Sequence, residues 1–198
     1  MTSANKITIA RLVSVPLVLW ALYEAQYLLA VCVFATAAIS DGVDGYIARR
    51  YSQQTVTGSI LDPLADKLLL TMTFVALTFS PNVQARLPAW LTAAVIYRDL
   101  LILLGSGMVK WFCPTLHFRA IVSSKLTTFS QIVTVLVACL SNLLASYGIN
   151  PWFLQWPLRV LVVVTAFFCV ISVLGYYRMG VWVLAHEAEE PSRQDAGQ

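Results

Sequence analysis

Six apolar stretches, each near the length of a membrane span, leave this chain few ways to fold. They run approximately over Ile7–Tyr23, Leu28–Tyr51, Ser59–Phe79, Pro88–Phe112, Ser123–Tyr147 and Pro157–Ala185. A helix that crosses the hydrocarbon core needs about 20 mostly apolar residues. Period-two alternation is absent and the runs are too long for barrel strands. Composition points the same way: 59% of the 198 residues are hydrophobic and 12% are charged, against roughly 25% charged in an average soluble domain. So few charges cannot cover a water-facing surface. The expected fold is therefore all-α, a polytopic membrane bundle of six transmembrane helices. One domain over 1–187 and a polar, disordered tail over 188–198 account for the length.

Breaks at Ser80-Pro81-Asn82 and at Tyr147-Gly148-Ile149-Asn150-Pro151 support these boundaries. The first apolar run contains Arg11 and Pro16 and lacks a small-residue cleavage site, so it reads as a retained helix. No Arg/Ser-rich transit segment precedes it. Cys32, Cys113, Cys139 and Cys169 have no metal-ligand spacing, and Cys inside apolar runs acts as a small hydrophobe. His117 and His186 are isolated and read as interfacial side chains.

With six spans, both termini share one side. That side carries Lys6, Arg11, Arg49, Arg50, Lys67, Lys110, Arg119, Lys125, Arg178 and Arg193, whereas the other carries Arg86 and Arg159. The bias places both termini in the cytoplasm of a bacterial inner membrane, or in the matrix of a mitochondrial one. Trp90, Trp111, Trp152, Trp156 and Trp182 fall near span ends, as an aromatic belt requires. The net charge of +3 is small, and no basic patch suggests nucleic acid.

One stretch does not fit a plain membrane bundle. SDGVDGYIARRYSQQTVTGSILDPLADK, Ser40 to Lys67, holds four aspartates. Asp41 and Asp44 are three apart and share a helix face, while Gly58, Asp62 and Asp66 recur at intervals of four. A short connection makes the two helices antiparallel neighbours, so the acidic stripes can face each other near the cytoplasmic surface. Four unpaired carboxylates at membrane depth are costly. They become tolerable around a hard divalent cation, which prefers oxygen ligands and phosphate. Two such ions can clamp a phosphoryl group between shared carboxylates. Gly42, Gly45 and Gly58 keep side chains away from the acidic faces, so a ligand can approach the backbone. Pro63 would be accommodated in a first turn. The competing explanations are solvated loop charges, structural Asp–Arg pairs, a scaffold, or an ion-coupled transporter. A transporter normally places its acids near the midplane, often within inverted repeats. Here they cluster at one end, and no repeat is visible.

Asp41-x-x-Asp44-Gly45-x-x-Ala48-Arg49, eight residues, then Gly58-x-x-x-Asp62-x-x-x-Asp66 resembles the signature of the CDP-alcohol phosphotransferase (class I CDP-alcohol phosphatidyltransferase) family. Every defined position is filled, and the six-span pattern also resembles that family's fold. The resemblance implies transfer of a phosphatidyl-type group from a CDP-linked donor to an alcohol, with release of CMP. It further implies that Asp41, Asp44, Asp62 and Asp66 bind two Mg²⁺ or Mn²⁺ ions, and that Asp66 is the general base. Asp44, Gly45, Ala48, Arg49 and Gly58 would line the CDP pocket, and the enzyme would be a homodimer.

The signature does not choose the acceptor. Outside it, IYRDLLIL places Arg98 and Asp99 in an apolar span, and SSKLTT places Lys125 at the start of the fifth span. Arg98 and Lys125 are candidates for binding an anionic acceptor; equally, Arg98 could pair with a carboxylate and Lys125 could snorkel to headgroups. These segments resemble the phosphatidylglycerol and cardiolipin branch. Arg-Asp followed by Ser-Lys-x-x-Thr is closer to eukaryotic-type cardiolipin synthases than to phosphatidylglycerophosphate synthases. The resemblance therefore favours CDP-diacylglycerol as donor and phosphatidylglycerol as acceptor, with glycerol 3-phosphate as the alternative.

Overall fold

The computed structural model describes the backbone of residues 3–51, 56–112 and 122–194, and the side chains of residues 10–40, 67–105 and 124–178. All regular structure among them is helical: α1 (Ser3–Tyr23), α2 (Tyr27–Tyr51), α3 (Val56–Phe79), α4 (Ala89–Phe112), α5 (Val122–Ser146) and α6 (Trp152–Gln194). Helix α5 is central. It packs against α2, α3 and α6, while α1 holds α2 and α3, and α4 bridges α3 and α6.

The helices begin and end close to the expected positions, with three differences. Helix α3 starts at Val56, so Pro63 lies beyond the first turn and cannot donate to the carbonyl of Ser59. Helix α6 starts at Trp152, before Pro157, because the carbonyl of Pro151 already accepts from the amide of Leu154 at 2.9 Å. It also continues to Gln194, into the segment expected to be a disordered tail. The residues there include Ala188, Glu189 and Glu190, and Ala and Glu are strong helix formers.

The bundle is apolar outside and mixed inside. Val13, Trp20, Leu104, Phe129, Val163 and Phe167 are exposed. Phe34, Phe74, Leu77, Leu91, Val95 and Val135 fill the interior, together with buried Thr73, Thr92, Thr127, Gln131, Thr134 and Asn142. In water this distribution would be unstable. In lipid, helices gain little from burying apolar surface, and small or hydrogen-bonding side chains hold them together. Thr134 and Thr165 share a hydroxyl bond at 2.9 Å between α5 and α6, and Thr78 and Thr92 share one at 2.6 Å between α3 and α4. Each is worth about 0.6 kcal/mol in such a setting. Ser124–Ser146 and Trp152–Arg178 are long and apolar enough to cross a membrane, and Ala10–Tyr23, Tyr27–Ser40 and Lys67–Phe79 are shorter apolar helices among the described residues.

Three turns lie together at one end. The α1–α2 turn passes through Ala25, with φ of 58°, and the α5–α6 turn through Gly148, with φ of 75°. The longer α3–α4 loop is tied down by its neighbours. Tyr27 donates to the carbonyl of Asn82 at 2.5 Å, and Asn82 donates to that of Tyr23. Asn142 Oδ1 accepts from the amides of Gln84 at 2.8 Å and Ala85 at 2.9 Å. The C-terminal half of α2 and the N-terminal half of α3 therefore lie at the opposite end.

Candidate active site

That opposite end carries the acidic signature. Asp41, Asp44, Gly45, Ala48 and Arg49 lie on α2, and Gly58, Asp62 and Asp66 lie on α3. On continuous helices the observed spacings keep the acids of each helix on one face. The side chains of these eight residues, and hence the convergence expected of the four carboxylates, lie outside the described residues.

Directly beside the signature is a buried charged cluster that is described. Lys67 follows Asp66 in sequence, and its Nζ donates to Asp99 Oδ1 at 2.7 Å. The same oxygen accepts from Arg98 Nη1 at 2.5 Å. Arg98 is 1% exposed and is the largest fully buried side chain among the described residues. Its remaining donors are used as well. Nε and Nη2 each reach Ser172 Oγ at 3.2 Å, and Nη2 reaches Ser124 Oγ at 2.8 Å. One guanidinium thus fixes α4 to α5 and α6, and Asp99 carries the connection on to α3. Two cations share one anion, so the cluster holds one net positive charge next to four formal negative ones.

The local reason for this arrangement is helical geometry. Arg98 and Asp99 are adjacent and point about 100° apart, so they can meet different helices. An isolated guanidinium here would be prohibitively costly. Asp99 neutralises it, and two serines satisfy the donors that the carboxylate cannot reach.

Of the two acceptor candidates, Arg98 is engaged in this cluster, and Lys125 is exposed in the first turn of α5. The structure brings them near each other through Ser124, the neighbour of Lys125. Reading the sequence alone leaves Lys67 and Asp99 without a role. The available signal was the adjacency of Lys67 to Asp66 and of Asp99 to Arg98, but spacing does not say which helices touch.

Among the described residues, no three His, Cys, Asp or Glu side chains group as metal ligands. The donor set that suits a metal is the signature itself. Its four carboxylates are hard oxygen ligands, which match Mg²⁺ or Mn²⁺ rather than a soft metal.

The sequence model of the CDP-alcohol phosphatidyltransferase family matches residues 1–174. Cardiolipin synthase (CMP-forming) of Homo sapiens is 29% identical over 195 residues, covering 90% of this chain and 62% of the human protein. Cardiolipin synthase (CMP-forming) of Streptomyces coelicolor is 34% identical over 116 residues, covering 56% of the chain and 52% of that protein. The CDP-diacylglycerol–glycerol-3-phosphate 3-phosphatidyltransferase of Pseudomonas fluorescens is 38% identical over 117 residues, covering 56% of each. The chain thus spans less than two thirds of the length of these relatives.

Proposed function

The chain belongs to the CDP-alcohol phosphatidyltransferase family, and from that premise we propose that it is a phospholipid-synthesising transferase that uses CDP-diacylglycerol and releases CMP. The observation that carries this reading is the complete signature from Asp41 to Asp66 on the two helices at one end of the bundle. Asp41, Asp44, Asp62 and Asp66 would hold the two divalent ions, which would neutralise phosphoryl oxygens and the CMP leaving group. Gly45, Ala48 and Gly58 leave room for the CDP moiety, and Asp44 contributes to that pocket. Arg49 would meet the diphosphate and stabilise charge as it develops. Asp66 takes the proton from the acceptor hydroxyl. The hydroxyl oxygen bonds to the β-phosphorus, and the bond from that phosphorus to the bridging oxygen breaks as CMP departs.

The favoured acceptor is phosphatidylglycerol, giving cardiolipin. Its support is the Arg98-Asp99 and Ser124-Lys125 pattern, together with two relatives named cardiolipin synthase. Glycerol 3-phosphate is the second reading, supported by the Pseudomonas relative. In either case Lys125 meets the acceptor's phosphate, and Arg98 serves it by fixing Ser124 and hence the start of α5. The six helices span the membrane with both termini and the active site on the cytoplasmic or matrix side, and the enzyme works as a homodimer.

The decisive assay uses purified protein, labelled CDP-diacylglycerol, Mg²⁺ or Mn²⁺ and a panel of alcohols. The expected result is metal-dependent CMP release that disappears in Asp66→Asn and Asp41→Ala, with cardiolipin as the main product. Turnover retained in both variants would sink the assignment. A product formed only with glycerol 3-phosphate would replace the acceptor.

A further inference from the structure

Arg86 and Arg159 are the two basic residues that the charge pattern leaves at the end away from the signature, and phosphatidyl transfer makes no use of them. The fold brings both to one cavity of about 620 Å³ between the α3–α4 loop, the end of α5 and the start of α6. Ser141 and Gln155 line its polar part alongside them, and Leu158, Val162 and Val163 continue down α6 as an apolar wall. Among the described residues, no acidic side chain lines the cavity.

Its walls are held in place. Asn142 receives the amides of Gln84 and Ala85 and donates to the carbonyl of Ala85 at 3.3 Å. Arg86 donates through Nε to Val83 at 3.0 Å and through Nη2 to Pro81 at 3.1 Å. These bonds set the guanidinium plane and use two of its five N–H groups. Arg159 lies over the Trp156 ring, 6.0 Å from its centroid, an orientation that a cation–π contact favours. Ser141 lines the cavity too; it is fully buried, and its hydroxyl has no hydrogen-bond partner.

Two preset guanidiniums with no carboxylate among the described lining residues are the complement of a phosphate. The adjoining apolar wall suits an acyl chain, which a free anion does not have. We propose that this cavity binds the headgroup phosphate of an anionic phospholipid, with an acyl chain along Leu158, Val162 and Val163. The site is distinct from the transfer centre at the other end of the bundle.

Native mass spectrometry of the full chain, released from detergent with phosphatidylglycerol or phosphatidylcholine, tests this. Lipid held at the transfer centre is common to all variants, so the difference between them reads the cavity. Arg159→Gln is expected to lower retained phosphatidylglycerol about tenfold, the worth of one charged hydrogen bond. Arg86→Gln/Arg159→Gln should remove it altogether, with phosphatidylcholine retention unchanged and CMP release near the unmodified level. Equal phosphatidylglycerol retention in all proteins would overturn the proposal. So would inorganic phosphate binding equally well in phosphatidylcholine alone, since the site would then take a free anion. If the double variant does not fold, Arg159→Gln decides alone, because that side chain is exposed and outside the packed loop.

Discussion

Asp99 is the residue on which the described charge cluster turns. Its Oδ1 accepts from both Lys67 and Arg98, and only 9% of its side chain is exposed. The two partners do not depend on it equally. Arg98 is sealed within the bundle, whereas 27% of the Lys67 side chain reaches the surface. Removing the carboxylate leaves a buried guanidinium uncompensated, which typically costs about 3–5 kcal/mol. Removing the lysine leaves Asp99 still paired with Arg98 and costs about 1 kcal/mol or less. Asp99→Asn should therefore lower the thermal midpoint in detergent far more than Lys67→Gln. Equal shifts would mean that Arg98 relies on its serines rather than on its carboxylate. Activity separates the roles further. Lys67 adjoins Asp66, so Lys67→Gln should reduce CMP release more than its small effect on stability accounts for.

At the scale of elements, two helix ends solve one problem with different residues. In the α1–α2 turn the amide of Gln26 reaches the carbonyl of Ala21 at 2.8 Å, and in the α5–α6 turn that of Ile149 reaches Leu144 at 3.1 Å. Both are the long bond of a Schellman cap, which requires a left-handed residue just before the donor. Gly148 fills that position without strain, but Ala25 does so with a Cβ, at a cost of roughly 1–2 kcal/mol. Ala25→Gly should raise stability by about 0.5–1 kcal/mol, part of the relief being offset by glycine's greater freedom in the unfolded chain. Gly148→Ala should lower it by about 1 kcal/mol; nothing lies within 4 Å of the added Cβ, so backbone strain alone accounts for the loss. Paired thermal unfolding curves of opposite sign would verify the cap assignment. Such ends also show what the sequence makes legible. Apolar run length and Pro/Gly breaks located the first five helices to within a few residues, and the sixth less closely, since it runs on to Gln194. They misplaced the start of α6, because Pro157 suggests a first turn while Pro151 supplies one. The acids of the signature were legible as periodic spacing within single helices. The Lys67–Asp99–Arg98 cluster was not, because its partners lie 32 residues apart and meet through helix packing that no periodicity encodes.

For the whole molecule, the open question is how a bundle with so many interior polar groups sits in a bilayer. Helix α5 has 25 residues, about 37 Å at 1.5 Å per residue, enough for a hydrocarbon core of about 30 Å. Charge is unevenly placed along this axis. Arg86 and Arg159 lie at the end of the short turns, and the other basic residues outside Arg98 fall, by sequence, toward the signature end. On the proposed reading the positive-inside rule would set the signature on the cytoplasmic side, where a water-soluble leaving group could depart without crossing lipid. The interior hydroxyls are compatible with this placement: Thr78 meets Thr92 and Thr134 meets Thr165 between helices, and Thr73 bonds back to its own helix, while Val163 and Phe167 of α6 stay exposed. A single new cysteine at Asn150, which is exposed in the α5–α6 turn, should react with a membrane-impermeant maleimide added outside intact bacterial cells expressing the protein. A cysteine at Ser192, in the last part of α6, should react only after the cells are opened. Cys139 and Cys169 are buried and Cys32 lies in the apolar Tyr27–Ser40 helix; Cys113 is replaced by serine in both proteins, and the parent carrying that replacement alone sets the background. Labelling of the two positions from the same side would require a single crossing between the N-terminal and C-terminal ends of α6 to be abandoned, and with it the transmembrane assignment of Trp152–Arg178.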